Sequence, residues 1–147
     1  MKDFFMKKAL EEAQKAFEKD EVPVGAVIVI NGEVIAAAHN SRELSRDATA
    51  HAEMTAIREA CEKLGGWRLI NCEMYVTLEP CPMCSGAILQ SRIERLYIGT
   101  MDPKGGAAGS LLNLFDDYHF NHETQVETGI LQEECSQILK DFFRRKR

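Results

Sequence analysis

Residues 71–100, NCEMYVTLEPCPMCSGAILQSRIERLYIGT, decide how the chain folds. The segment opens on a run of apolar and β-branched residues and ends at Pro80, which lacks the N–H that a continuing strand would donate. Pro82 then stands where a helix accepts proline, in its first turn, so Cys81 reads as the N-cap and Cys84 lies about one turn further on. RIERLYIGT follows as a second strand. A strand, a helix and a strand in close succession form a crossover, which predicts that the two strands run parallel.

Working outward, the apolar residues from about Ala50 to Leu64 recur at helical spacing, and Gly65-Gly66 supplies a left-handed stop. VPVGAVIVI and EVIAAAH flank Asn31-Gly32, which predicts a hairpin closed by a type I′ turn. Residues 3–19 place Phe5, Met6, Ala9, Leu10, Ala13 and Phe17 on one face of an amphipathic helix. On the C-terminal side, DPKGGAAGS reads as a Gly-rich loop, SLLNLFDD as a short helix, TQVET as a weak strand, and residues 131–145 as a closing helix. The expectation is an α/β fold in a single domain spanning 1–147. A mixed five-stranded sheet lies between helices in a three-layer α/β/α arrangement.

Composition narrows the function. A chain of 147 residues with 45% hydrophobic content builds one core without staples, so its odd count of five cysteines predicts reduced thiols rather than a disulfide framework. No stretch reaches the roughly eighteen consecutive apolar residues of a membrane span, and the start MKDFFMKK is charged where a signal peptide would be apolar. A cytoplasmic location is expected. The net charge of −5 argues against non-specific nucleic-acid binding, and setting aside the four cations Arg144-Arg145-Lys146-Arg147 leaves −9 on the remainder. Any contact with RNA is therefore local.

The residues that carry chemistry are His51-Ala52-Glu53 at one helix start and Pro80-Cys81-Pro82-Met83-Cys84 at another. Cys81 and Cys84, three apart, can aim both sulfurs at one ion, and a helix N-terminus favours thiolate over thiol. With His51 they make three ligands for Zn2+, and a tetrahedral zinc with three protein ligands keeps its fourth position for a catalytic water. Glu53 lies roughly 200° round the helix from His51, off the metal and beside that water. Zinc lowers the pKa of bound water from 15.7 to about 7, but two thiolates blunt the effect, so an adjacent carboxylate base gains value. A CxxC alone more often marks a structural metal knuckle, and HxE alone is uninformative. A closed structural site needs a fourth ligand, and none of Cys61, Cys72, His39, His119 and His122 stands at a partner spacing.

H-A-E followed by P-C-x-x-C resembles the signature that defines the zinc-dependent cytidine and adenosine deaminase superfamily, a resemblance that covers essentially the whole chain. Within the superfamily, TLEPCPMCSGAI, MDPKGGAAGSL, FNH and DFFRRKR resemble the bacterial tRNA-specific adenosine deaminases. The resemblance implies a cytidine-deaminase-like fold, one Zn2+ per subunit, a homodimer, and hydrolytic conversion of the wobble adenosine of an arginine tRNA to inosine. It also implies that Asn40 meets the flipped base, that Asp102 and Lys104 contact anticodon-loop nucleotides, and that Phe142, Phe143, Arg144 and Arg145 contact RNA from the last helix.

The residues by themselves leave plainer roles open. Asn40 equally caps a turn, Asp102-Pro103 reads as a turn, and Phe142 and Phe143 suit a core or a dimer contact. The basic tail complements its helix dipole. If all four tail cations touch phosphates, they add at most about −2.8 to the salt slope. Two other functions compete: a small-molecule guanine or deoxycytidylate deaminase, and a non-catalytic zinc module that binds nucleic acid.

Overall fold

Alternation along the central strands explains the layers. In β1 (Gly25–Ile30) and β3 (Cys72–Leu78), Ala26, Ile28, Met74 and Val76 point to one face of the sheet, and Val27, Val29 and Tyr75 to the other. The first set packs with Ala52, Ala56 and Ala60 of α3 (Ala52–Leu64) and with Ile88 of α4 (Pro82–Gln90). The second packs with Phe5, Met6 and Ala9 of α1 (Lys2–Glu18) and with Cys135 of α5 (Gln132–Arg145). A strand buried on both faces reads as a continuous apolar run, which GAVIVI does.

This computed structural model describes residues 1–117 and 119–147. The sheet runs in the order β2-β1-β3-β4-β5, with β2 at Glu33–His39, β4 at Arg95–Thr100 and β5 at Gln125–Thr128. β1 is antiparallel to β2 and β3, whereas β4 is parallel to both β3 and β5. The expected crossover therefore forms, with Leu78 level with Thr100. Asn31 and Gly32 take φ of 51° and 77°, as the hairpin turn requires.

Gly25 has a reason other than conformation. A Cβ there would run into the backbone of α1 at Ala9 and Ala13, so the helix lies directly against the strand with only small residues between them.

Two elements differ from expectation. The short helix read at SLLNLFDD does not form: residues 110–117 are turns, joined to the preceding loop by an isolated bridge between Ala108 and Asn113. The apolar residues of this stretch suggest a helix, whose Leu111–Phe115 face would be compatible with a homodimer. The Leu111 N–H instead goes back to Gly106 O and the Leu114 N–H to Ala107 O, and Asn113 Oδ1 takes the Phe115 N–H, which places these donors outside an i→i+4 ladder. Conversely, a one-turn helix, α2 (Arg42–Ser45), follows β2 where no helix was expected.

Candidate active site

Both HAE and PCPMC deliver their first residue to a helix start. His51 is the N-cap of α3 and Cys81 the N-cap of α4, each with extended backbone. Neither side chain makes the usual cap hydrogen bond. They turn toward each other instead: His51 Nδ1 lies 3.7 Å from Cys81 Sγ and 3.4 Å from Cys84 Sγ. Among the described residues these three form a potential metal-binding group, with all ligand atoms within 4.8 Å of one another. Two helix N-termini converge on the cluster, and their unpaired N–H groups favour negative charge there.

Proton sharing inside the cluster follows from that geometry. The hydrogen bond from the Cys84 thiol pulls Cys81 down to about 4 against its burial, and His51 adds to the effect. The same bond, helped by burial, pushes the Cys84 thiol upward, while the contact with Cys81 raises His51 against its own burial. One sulfur is thus already a thiolate at neutral pH. Two sulfurs and an imidazole nitrogen at this separation suit a borderline-soft cation such as zinc. Cys61 and Cys72 face backbone carbonyls of Trp67 and Ile70, His122 faces Ile93 O, and His39 faces Glu12, so none of them joins the cluster as a fourth donor.

Glu53 is the second residue of α3 and is 4% exposed. Burial pushes its carboxyl up to about 7. It lies outside the donor group but beside it, and together with His51 and Cys81 it lines a cavity of about 310 Å3. That volume falls at the lower end of the roughly 300–1,000 Å3 typical of small-molecule sites.

Asn40, at the end of β2, also lines the cavity. It serves a turn as well: Nδ2 donates to Val22 O at 3.2 Å and Oδ1 accepts from Arg42 N at 3.3 Å. One amide hydrogen and one lone pair remain for a ligand. Asp102 stands on the cavity wall, where its Oδ1 accepts from Lys104 N at 3.1 Å and Gly105 N at 3.2 Å; Lys104 itself is exposed outside the cavity.

The residues of α5 lie elsewhere. Phe142 is 3% exposed and packs edge-on against Phe17, which gives it a core position. Phe143 is 49% exposed and, with Lys140, Arg144 and Arg147, borders a separate hollow next to Thr100 and Met101. Arg145 donates to Phe17 O and Asp20, Lys146 also pairs with Asp20, and Arg144 lies 3.5 Å from Asp141.

Two residues of the site were not legible as such. Glu21 and Glu79 are both buried and both line the cavity. Glu21 accepts from Glu43 N at 3.0 Å and Leu44 N at 2.7 Å, fixing α2 at the rim. The available signal was a carboxylate at the edge of an apolar run, Glu21 just before Val22-Pro23 and Glu79 just after Leu78 and before Pro80-Cys81.

Residues 1–147 match the family of MafB19-like deaminases. The tRNA-specific adenosine deaminase of Bacillus subtilis is 55% identical over 99% of this chain and 90% of its own length. That of Aquifex aeolicus is 51% identical over 99% and 96%. A solved structure from work on A-to-I editing by tRNA:A34 deaminases at the wobble position of transfer RNA shares 49% identity. It superposes with a TM-score of 0.89 over 92% of this chain and 99% of that one. A guanine deaminase from Nitrosomonas europaea is also similar in fold, at a TM-score of 0.80, but shares only 25% identity over 95% of this chain and 83% of that one.

Proposed function

The chain belongs to the MafB19-like deaminase family, and from that membership we propose that it is a zinc-dependent hydrolase converting the wobble adenosine of a tRNA, an arginine tRNA first, to inosine. The observation that carries the chemistry is the His51, Cys81 and Cys84 cluster on the wall of a cavity that also holds the buried Glu53. The substrate rests on relatives that match from end to end at about half identity, against 25% for the guanine deaminase.

In this reading His51, Cys81 and Cys84 would hold one Zn2+ per subunit. Bound there, the ion supplies Lewis acidity that makes water a nucleophile near neutral pH. Glu53 does the proton work. Its carboxylate accepts a proton from the attacking water and returns it to N1 of the purine, while oxygen bonds to C6. The second proton of that water moves to the C6 amino group, which departs as ammonia, so adenosine and water give inosine and ammonia. Burial favours this role, because a carboxyl brought up to about 7 exchanges protons readily in both directions near neutrality.

Asn40 offers its remaining amide hydrogen and lone pair to the base, and Asp102 and Lys104 meet the nucleotides beside it. Phe143, Arg144 and Arg145 are the α5 candidates for RNA contact. The substrate has to be a splayed loop, because the target carbon is out of reach within a stack, and anticodon loops present such bases. A homodimer and a cytoplasmic location accompany the reading, which agrees with the finding that no helix among the described residues is long and apolar enough to cross a membrane.

The test is to incubate the purified protein separately with an arginine tRNA carrying adenosine at the wobble position, with free guanine and with deoxycytidylate, and to resolve the products chromatographically. Inosine from the tRNA alone is expected. Turnover of guanine or deoxycytidylate without inosine overturns the substrate assignment and leaves the metal chemistry standing.

A further inference from the structure

The loop after β4 is wrapped around a carboxylate that the reaction above does not use. Glu79, at the end of β3, is 3% exposed. Its Oε1 accepts the Asp102 N–H at 2.8 Å, and its Oε2 accepts the N–H groups of Ala108 at 2.9 Å and Ser110 at 3.0 Å. The Ser110 hydroxyl donates a further short bond to Oε1. Gly106 passes so close to the carboxylate that any Cβ there would overlap it. Backbone bonds complete the attachment: Glu79 N–H to Thr100 O, and Ala107 N–H to Pro80 O.

A buried carboxylate is costly unless its lone pairs are taken, and here each oxygen accepts two bonds from one loop. The carboxylate is therefore the template on which residues 102–110 fold. Its place in the chain couples that template to the site. Glu79 lies two residues before Cys81, so the strand end that delivers a donor sulfur also sets the loop. The first residue held is Asp102, whose side chain faces the cavity shared by Asn40 and Glu53.

We propose that Glu79 is a positioning residue for substrate selection: by pinning Asp102 and residues 104–110 at the cavity rim, it controls how tightly the RNA is bound and not how fast the C–N bond is broken. The substrate in this proposal is that of the reading above; the anchoring itself is independent of it.

The zinc-loaded protein and its Glu79→Gln variant test the proposal in two ways. Glutamine keeps the shape but points an N–H2 at loop N–H groups. In steady-state deamination of an arginine tRNA, KM rises about tenfold while kcat stays within about twofold, and zinc content is unchanged. Ser110→Ala, which removes one of the four bonds, shifts KM the same way by a smaller factor. A fall in kcat at unchanged KM overturns the proposal, since loss of folded protein or of a chemical group would produce that pattern. Hydrogen exchange on the RNA-free proteins supplies the second readout: the amides of Asp102, Ala108 and Ser110 lose protection in Glu79→Gln, and those of β1 and β3 keep theirs. Equal protection of the loop in both proteins overturns the anchoring whatever the substrate proves to be. A wild-type protein inactive on tRNA overturns the substrate reading and the link to RNA affinity, while the exchange result still decides whether Glu79 holds the loop.

Discussion

Single carboxylates do different work in this molecule according to what surrounds them. At Glu53 burial outweighs the neighbouring His51 and the hydrogen bond from Cys84, and the carboxyl is pushed up to about 7, which suits a group that must take and give a proton. Replacing it by Gln is expected to lower the rate of inosine formation by about 10²- to 10⁴-fold, the usual worth of a positioned general base, and to leave zinc content unchanged. Glu12 shows the opposite balance. Burial raises its pKa, but hydrogen bonds from Lys15 and His39 outweigh burial and hold it below its ordinary 4.5. A carboxylate with a depressed pKa contributes stability that is present above its ordinary value and lost as the pH falls through the folded one. Chemical denaturation of wild type and Glu12→Gln therefore shows its largest difference near pH 7 and a shrinking one below 4.5; an equal gap at pH 3 contradicts the assignment. The combination of HAE at one helix start with PCxxC at another pointed to His51, Cys81 and Cys84, and the fold brings those three together. Glu21 and Glu79 escaped notice because a carboxylate satisfied by distant backbone amides leaves no period and no partner spacing in the sequence.

Secondary-structure elements were legible wherever burial imposed a period. The apolar run of GAVIVI, the Asn-Gly turn and the β3-α4-β4 crossover all follow from local pattern. Apolar spacing suggests a helix at 110–117, but the Leu111 and Leu114 N–H groups bond back to Gly106 O and Ala107 O of the loop that the Glu79 carboxylate holds. Local sequence cannot register a competitor that lies about thirty residues away. The contact of α1 with β1 yields a prediction of its own. Gly25→Ala puts a methyl group into the helix backbone at Ala9 and Ala13, which cannot move without unseating Phe5 and Met6 from the core. A loss of at least about 2 kcal/mol in urea unfolding is expected, at an unchanged m-value, and a loss under about 0.5 kcal/mol contradicts the close approach.

For the whole molecule, charge placement matters more than total charge. The acidic body disfavours unspecific RNA, and the basic tail looked like four free cations in sequence. In the structure Arg145 and Lys146 are engaged with Asp20, leaving Arg144, beside Asp141, and Arg147 outside that pairing. With Arg145 exchanging Asp20 for a phosphate and Lys146 kept on Asp20, deleting residues 144–147 is expected to reduce the salt slope of tRNA binding by about 2.1, three contacts' worth, and not by about 2.8. A drop near the larger figure means that Asp20 gives up Lys146 as well on binding, and no change assigns the tail to packing against α1. Turnover depends on one buried carboxylate, Glu53, moving protons beside a metal that three side chains would hold. The most direct test of that dependence is the single-turnover rate of wobble inosine formation by zinc-loaded Glu53→Gln at saturating protein. Zinc retained at one ion per chain with inosine formation all but abolished is the predicted result, and wild-type inosine formation by that variant contradicts it.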